Sequence, residues 1–449
     1  MENTGLNIRY IARLIIEAET PLKIGSGENG LSTDSLIQTD CNGLPVIHAT
    51  SLIGVIRSEL NKHNQQATED IFGSSLNKGK GARISFSHAH LLAENGHVIE
   101  GLIRETDKSD YLNILKDRLP VRDHVRINEK GASDTKNHGK FDEQILFKGI
   151  RFIFDIELKG TEEDNNLWQL LLSLLTSSTF RIGGGTRKGF GKIRIVHCEE
   201  LILDLKKTGD LDKYIHKSSS LNKALHGITK ELVYNSDEEY LHYKLLLSPD
   251  DYFIFGKKSN TDEVDLKQIT EPVIVWNNDF PEFITTQILI PATSVKGTIA
   301  HRVAYHYNNI NGIFANDVED IKAHVGENNK AVSFLFGCAE NNTKSGKRGN
   351  LIFSDIYLQP AKKKVFNHVA IDRFTGGASE GALYSEETVS ANSFQLDIIL
   401  ATSEIPADIL EALELTLSDI TTGMLPLGAN TLKGHGCFNG QLLKNGKEI

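Results

Sequence analysis

Asp34 closes the glycine-bearing stretch Gly25 to Asp34 and is the residue best suited to chemistry in this chain. A loop carboxylate beside a bound polyanion can hold a divalent metal ion. It can also polarise a hydroxyl for attack on a neighbouring phosphate. Thr50 and Ser51 follow, at the head of a helix-like run. A Thr-Ser pair there offers hydroxyls and free backbone N–H groups to an anion, and the helix dipole adds to the attraction. Gly54 lets a ligand backbone approach closely, and Arg57 supplies positive charge. Later comes Gly183-Gly184-Gly185-Thr186-Arg187-Lys188, whose exposed amides could cradle phosphates. Its spacing is not that of a nucleotide-hydrolysing P-loop. It follows a helix and precedes a strand, the wrong order for a dinucleotide-binding turn.

These residues need elements to hold them. Arg9 to Ala18 is Ile-rich and partly alternating, so it predicts a half-buried strand. Ser35 to Thr39 and Pro45 to Ala49 flank Asn42-Gly43, a hairpin signal, with Asp40 as a turn-flanking residue. Thr50 or Ser51 is then expected to cap a helix reaching about Asn64. Arg83 to Leu91, Gly149 to Leu158 and Ile193 to His197 read as strands, and Leu167 to Thr176 as a helix. The class expected is α+β with an antiparallel sheet.

The chain then repeats itself. Ala49-Thr50-Ser51-Leu52-Ile53-Gly54 returns about half a chain later as Ala292-Thr293-Ser294-Val295-Lys296-Gly297. Ile71-Phe72-Gly73 matches Leu335-Phe336-Gly337, and Phe86-Ser87 matches Phe353-Ser354. His124-Val125-Arg126 matches His368-Val369-Ala370, and Phe152 to Leu158 matches Phe394 to Leu400. Gly183 to Gly191 matches Gly428 to Gly436, with Lys188 in step with Lys433. A duplication kept only for folding accounts for the Phe and Ile positions. It accounts less well for repeated Thr-Ser, His and Gly-Lys-Gly, which suggest two similar sites along one extended ligand. Asp34 stands nine residues after Gly25, and Asp265 stands nine after Gly256, so Asp265 is the expected counterpart, with Glu271 in reserve. The expected organisation is a first domain over 1–205, a linker over 206–239 with short helical pieces, and a second domain over 240–449.

Composition sets bounds. With 39% hydrophobic and 24% charged residues, a packed core is expected. Four scattered cysteines without C-x-x-C spacing argue against a zinc site or a disulfide framework. No long apolar run or basic-apolar leader is seen, so no membrane and a cytoplasmic location are expected. The net charge of −10 argues weakly against nucleic acid, but basic residues gather around Arg118 to Lys130, Arg181 to Lys192 and Lys362 to Lys364.

Taken together, these motifs resemble the RAMP superfamily of CRISPR systems, and within it the backbone subunits of type III effector complexes. The residues that carry the likeness are Thr33-Asp34-Ser35, His48 to Gly54, Gly183 to Gly191, Pro291 to Gly297, Ile371-Asp372-Arg373-Phe374-Thr375-Gly376 and Gly428 to Gly436. His48 departs from the usual Pro, and the first copy has Asn128-Glu129-Lys130 where the family has Asp-Arg. The resemblance implies two tandem ferredoxin-like, RRM-like domains with thumb hairpins around His124 to Asp142 and His368 to Glu387. It implies a fused double subunit like those of type III-D-type complexes. The implied partners are CRISPR RNA, complementary target RNA and other effector subunits. Asp34 and Asp265 would then cut target RNA with Mg2+ or Mn2+, each holding the metal. The RNA-binding set would be Thr50, Ser51, Gly54, Arg57, Thr293, Ser294, Lys296, Gly183, Gly184, Arg187, Lys188, Lys433, His124, Arg126, His368 and Arg373. Two alternatives stand beside this: a purely architectural RNA-binding subunit, and a CRISPR RNA processing endoribonuclease using His48, His124 or His368 as acid or base.

Overall fold

The computed structural model describes residues 5–30, 33–74, 79–104, 109–125, 139–233, 240–258, 264–339, 345–359 and 362–449. Each half builds the same six elements. The first has β1 (Ile8–Ala18), α1 (Ala49–His63), β2 (Ile84–Phe86), β3 (Arg151–Gly160), α2 (Asn165–Leu174) and β4 (Ile193–Asp204). The second has β5 (Leu241–Pro249), α3 (Ala292–Ile310), β6 (Leu351–Phe353), β7 (Phe394–Leu400), α4 (Ala407–Thr421) and β8 (Phe438–Lys444). Strand order is β2-β3-β1-β4 in one half and β6-β7-β5-β8 in the other, with antiparallel neighbours throughout. That β-α-β-β-α-β order is the ferredoxin-like arrangement expected.

The cores follow from side-chain periodicity. Tyr10, Ala12, Leu14 and Ile16 on alternate positions of β1 meet Leu52, Ile56 and Leu60 from one stripe of α1. In the second half, Tyr243, Leu245 and Leu247 of β5 meet Val295, Ile299 and Val303 of α3.

Two expectations change. Of the expected linker 206–239, the described part, 206–233, is not simply a connection. Thr208–Ile215 forms a helix, Ile228–Thr229 pairs with β4, and Leu221 is buried against Leu92, Val98 and Ile153 on the back of the first sheet. Arg13 ties this segment down, bonding Asp155 with its fork and the carbonyl of Lys223 with Nη1. The second correction concerns the helix starts. Thr50 and Ser51 do not cap α1; His48 occupies the cap, and the Ala49 amide donates instead to Nδ1 of His88, 3.0 Å away. In the second half Pro291 takes the cap, and the Ala292 amide donates to Oδ1 of Asp355 at 2.8 Å. A residue from the strand end after β2 or β6 does the capping, which leaves the Thr-Ser hydroxyls free for other work.

The halves meet through a buried junction. The hairpin Thr270–Asn277 with Phe280–Ile290 of the second half reaches back to the first. There the Trp276 indole donates to the Gly149 carbonyl at 2.7 Å. A Cβ on Gly149 would sit 1.8 Å from the Ile274 carbonyl oxygen, so only glycine fits. Arg122 is the centre of the contact. Its guanidinium forks onto Glu271 at 2.9 and 2.7 Å, and reaches Asp355 at 2.6 Å. Burial opposes that charge, but Asp355 and Glu271 hold the Arg122 pKa above its ordinary value. This also removes Glu271 as a counterpart of Asp34.

Candidate nucleic-acid interface

Each half carries an antiparallel strand pair, a finger, in a sheet separate from its main one. In the first it is Val121–Val125 paired with Lys140–Gln144, and in the second Lys362–His368 paired with Tyr384–Ser390. Asp34 sits against the first finger. Its amide donates to Oδ1 of Asp142 at 2.9 Å, and its Oδ2 accepts from the Asp142 amide at 3.0 Å. Asp265 sits against the second finger in the same way. Its Oδ2 accepts from the Ser385 amide at 2.8 Å and from the Ser385 hydroxyl at 3.2 Å. Both aspartates are exposed. The two loops pair alike as well, Gly25 with Ile37 and Gly256 with Gln268. Asp34 and Asp265 therefore occupy equivalent places, but their neighbours differ: a carboxylate in one, a hydroxyl in the other.

A buried carboxylate anchors each finger, and the sequence reading missed both. Glu143 lies 2.7 Å from Nε2 of His124 and 3.6 Å from Nζ of Lys188, and also pairs with Lys23. Glu386 lies 2.7 Å from Nε2 of His368 and 3.0 Å from Nε2 of His435, and accepts from the side chain of Asn430. The histidines stack on the finger aromatics, His124 on Phe141 and His368 on Tyr384. Lys188 lies 4.6 Å from the Phe141 ring centre, and Lys433 lies 4.2 Å from that of Tyr384. So Glu143 and Glu386 hold the fingers to the glycine loops, through Lys188 in one half and Asn430 and His435 in the other, and His124 and His368 brace those acids within the fingers. The repeated pattern aromatic-x-Glu, in Phe141-Asp142-Glu143 and Tyr384-Ser385-Glu386, was the available signal.

Burial alone would raise the Glu143 carboxyl, but His124, Lys23 and Lys188 bring it down from 4.5 to about 2. A depressed carboxylate stabilises the fold above its unfolded pKa and loses that contribution as pH falls through the folded one. Glu143→Gln is therefore expected to lower the melting temperature at neutral pH. The gap to the parent protein should narrow as melts are repeated from about pH 5 toward pH 2.

The first glycine loop joins a basic track. Gly183, Gly184, Gly185 and Thr186 line one groove with Gly54, Val55 and Ser58 of α1 and with Arg348 from the second half. A Cβ on Gly54 or Gly297 would meet nothing within 4 Å, so both helix faces are open to a ligand. Arg187 donates to the Gly349 carbonyl at 2.9 Å, and Arg348 to the Thr186 hydroxyl at 2.8 Å. Burial, then the nearby Arg348 and Arg181, push Arg187 down to about 9. Burial, Arg187 and Lys188 lower Lys296 in turn. Cations crowded enough to depress one another form a field that a polyanion relieves.

Other expected residues are not among those lining that groove. Arg57 reaches the Gly73 carbonyl at 3.3 Å, and Thr293 and Ser294 open α3 on its accessible side. Arg373 is exposed at the tip of the second finger, in a turn shaped by Asp372, whose Oδ1 accepts from the amides of Phe374 and Thr375. Arg126 lies outside the described residues, as does most of the first thumb segment. His48 and His88 have ring centres 5.0 Å apart, whereas His124 and His368 each pair with a buried acid. Among the described residues no group of three or more His, Cys, Asp or Glu side chains could hold a metal ion, and no helix is long and apolar enough to cross a membrane.

No curated relative matches the chain. Among solved structures it is similar to a chain of Type III-B Cmr-beta in the apo state, at 18% identity and a TM-score of 0.33, covering 41% of this chain and 97% of that one. It is also similar to a chain of Type III-B Cmr-beta bound to cognate target RNA, at 17% identity and a TM-score of 0.32, covering 43% and 61%. The RAMP superfamily model matches residues 15–194 and again 279–439, one match for each finger-bearing half. The chain thus belongs to the RAMP superfamily and carries its domain twice.

Proposed function

We propose that the chain is a CRISPR RNA-binding backbone subunit of a type III effector complex, and that it cuts guide-paired target RNA at Asp34 and Asp265. The observation that carries this is the paired geometry: an exposed loop aspartate is fixed against a finger in each half, in a chain whose helix faces at Gly54 and Gly297 are open and whose first glycine loop carries crowded cations. Guide phosphates would lie on Thr50-Ser51, the Gly183 to Lys188 loop and Lys296, and again on Thr293-Ser294 and Lys433. Such contacts give affinity without reading sequence, which base pairing supplies.

A divalent ion such as Mg2+ or Mn2+ fits this donor set in one way only. With one or two carboxylates on offer, it would be shared with an RNA phosphate and water rather than held by the protein alone. When bound, it would stabilise charge on the attacked phosphate. The aspartates' own task would be to hold that ion, or to polarise the attacking hydroxyl, beside a nucleotide that the finger unstacks.

The architectural reading has its own support, since Asp34 and Asp265 each accept a finger amide and so brace the loop. Sizing labelled target fragments separates the two. Asp34→Ala and Asp265→Ala are each expected to remove one cut and leave the complex assembled. Unchanged fragments from the double variant would establish the architectural role instead.

A further inference from the structure

The two sheets differ on the face that their helices leave free. In the first half residues 206–233 roof that face: Leu221 sits on Leu92, Val98 and Ile153, and Arg13 of β1 bonds Asp155 of β3 beneath. The matching face of the second half carries His242, Lys244 and Leu246 on alternate positions of β5, beside Asp397 and Ile399 of β7. Lys244, Leu246 and Asp397 are exposed there. The first half overhangs this face instead. Glu19, Ser178, Arg181 and Lys192 close with it around a cleft of about 890 Å³, which Tyr240 also lines. Arg181 and Lys192 stand at the two feet of the glycine loop, where the Ile182 amide donates to the Gly191 carbonyl at 2.9 Å.

We infer that this cleft binds a free nucleotide, a nucleoside monophosphate. Its lining offers what each part of that molecule needs. Arg181 is buried and held in place, donating to the carbonyls of Ser178 and Phe180 at 2.9 and 2.8 Å, so it is a fixed positive charge in the wall. Lys244 has no acidic partner among the described residues. Asp397, its neighbour across the strands, turns to the side-chain amide of Gln395 at 2.7 and 2.8 Å. Lys192 already pairs with Glu19 at 2.9 Å. Arg181 and Lys244 are thus the cations left for a phosphate. Ile352, Ile399 and Leu443 supply an apolar strip for one face of a base, and Tyr240 supplies a ring. Nε2 of His242 is enclosed and bonds to nothing, a polar atom whose partner the chain does not provide. A bare phosphate would leave the apolar strip bare, and an apolar ligand would leave the two cations unanswered. The volume falls in the range of about 300–1,000 Å³ usual for small-ligand sites, and a junction between domains is a usual place for one.

The inference stands whether or not the chain cuts RNA. The test is titration calorimetry of the full chain with AMP, GMP, CMP and UMP, and with inorganic phosphate and adenosine as separate probes. At least one nucleotide is expected to bind, with phosphate alone and adenosine alone each weaker by about tenfold or more. Lys244→Gln should weaken the nucleotide about tenfold, with the melting temperature of the unliganded chain unchanged because Lys244 is exposed. Lys188→Ala, on the loop proposed to hold the guide, should leave nucleotide affinity as it was. Azido-AMP on the parent chain should label the segment Tyr240 to Lys244, a readout that needs no variant. Four nucleotides that give no heat at millimolar concentration would overturn the inference. So would inorganic phosphate binding as tightly as the nucleotide. Affinity lost in Lys188→Ala and kept in Lys244→Gln would overturn it as well, by moving the nucleotide to the guide track.

Discussion

Asp34→Asn is expected to leave folding and assembly intact while slowing the first target cut by at least about a hundredfold, roughly 3 kcal/mol of barrier. Asparagine keeps an oxygen that can accept from the Asp142 amide, so the brace between loop and finger survives and only the charge is lost. Asp265→Asn should do the same to the second cut through the Ser385 amide. The two sites should still differ. The first offers the carboxylates of Asp34 and Asp142, the second a carboxylate and the Ser385 hydroxyl. One more negative charge within about 5 Å strengthens attraction for a divalent ion by roughly 1 to 2 kcal/mol, even in water. The first cut should therefore saturate at about tenfold lower Mg2+ than the second, and Asp142→Ser should bring the two together. Chelation should stop both cuts; cutting that persists in chelator would remove the metal from the mechanism. The readout is the amount of each fragment across a Mg2+ series.

Much of this arrangement was legible because the duplication repeats local words. His124 and His368, Gly54 and Gly297, and Lys188 and Lys433 announced themselves by recurring in order, and the structure puts each pair in matching surroundings. Counting from Gly25 and Gly256 leads to Asp265, which braces its finger much as Asp34 does, because the loops have equal length up to the aspartate; the longer hairpin begins only afterward. Other features had no local trace. Thr50 and Ser51 looked like caps because nothing nearby in sequence competes for that role. The competitor, His88, arrives from the end of another strand. Arg122 meets Glu271 and Asp355 from the other half of the chain, and an ion pair across such a separation has no periodicity to betray it. Glu143 and Glu386 hid because a buried acid is read as exposed until its partners are known.

The same distance in sequence makes Arg122 the most consequential single side chain for the assembly of the two halves. Arg122→Met keeps most of the aliphatic stem but removes the charged guanidinium, whose carbon lies 5.1 Å from the Phe190 ring centre. Glu271 and Asp355, both buried, are then left facing each other's field without a cation. Breaking a buried pair from one side costs about 3–5 kcal/mol, because the surviving charges stay desolvated. Lysine should rescue little, since it cannot fork onto Glu271 and reach Asp355 at once. Removing the acids as well, with Glu271→Gln and Asp355→Asn, should recover part of the loss, which pure packing damage at Arg122 would not allow. Calorimetry is expected to show the single variant melting in two steps, one for each half, where the parent protein melts as a unit. The cost should reach the sites too. Asp34 and Asp265 are held against separate fingers, and this junction ties the two halves that carry them. A loosened junction should blur the spacing between the two target cuts while leaving each aspartate's own finger contact in place.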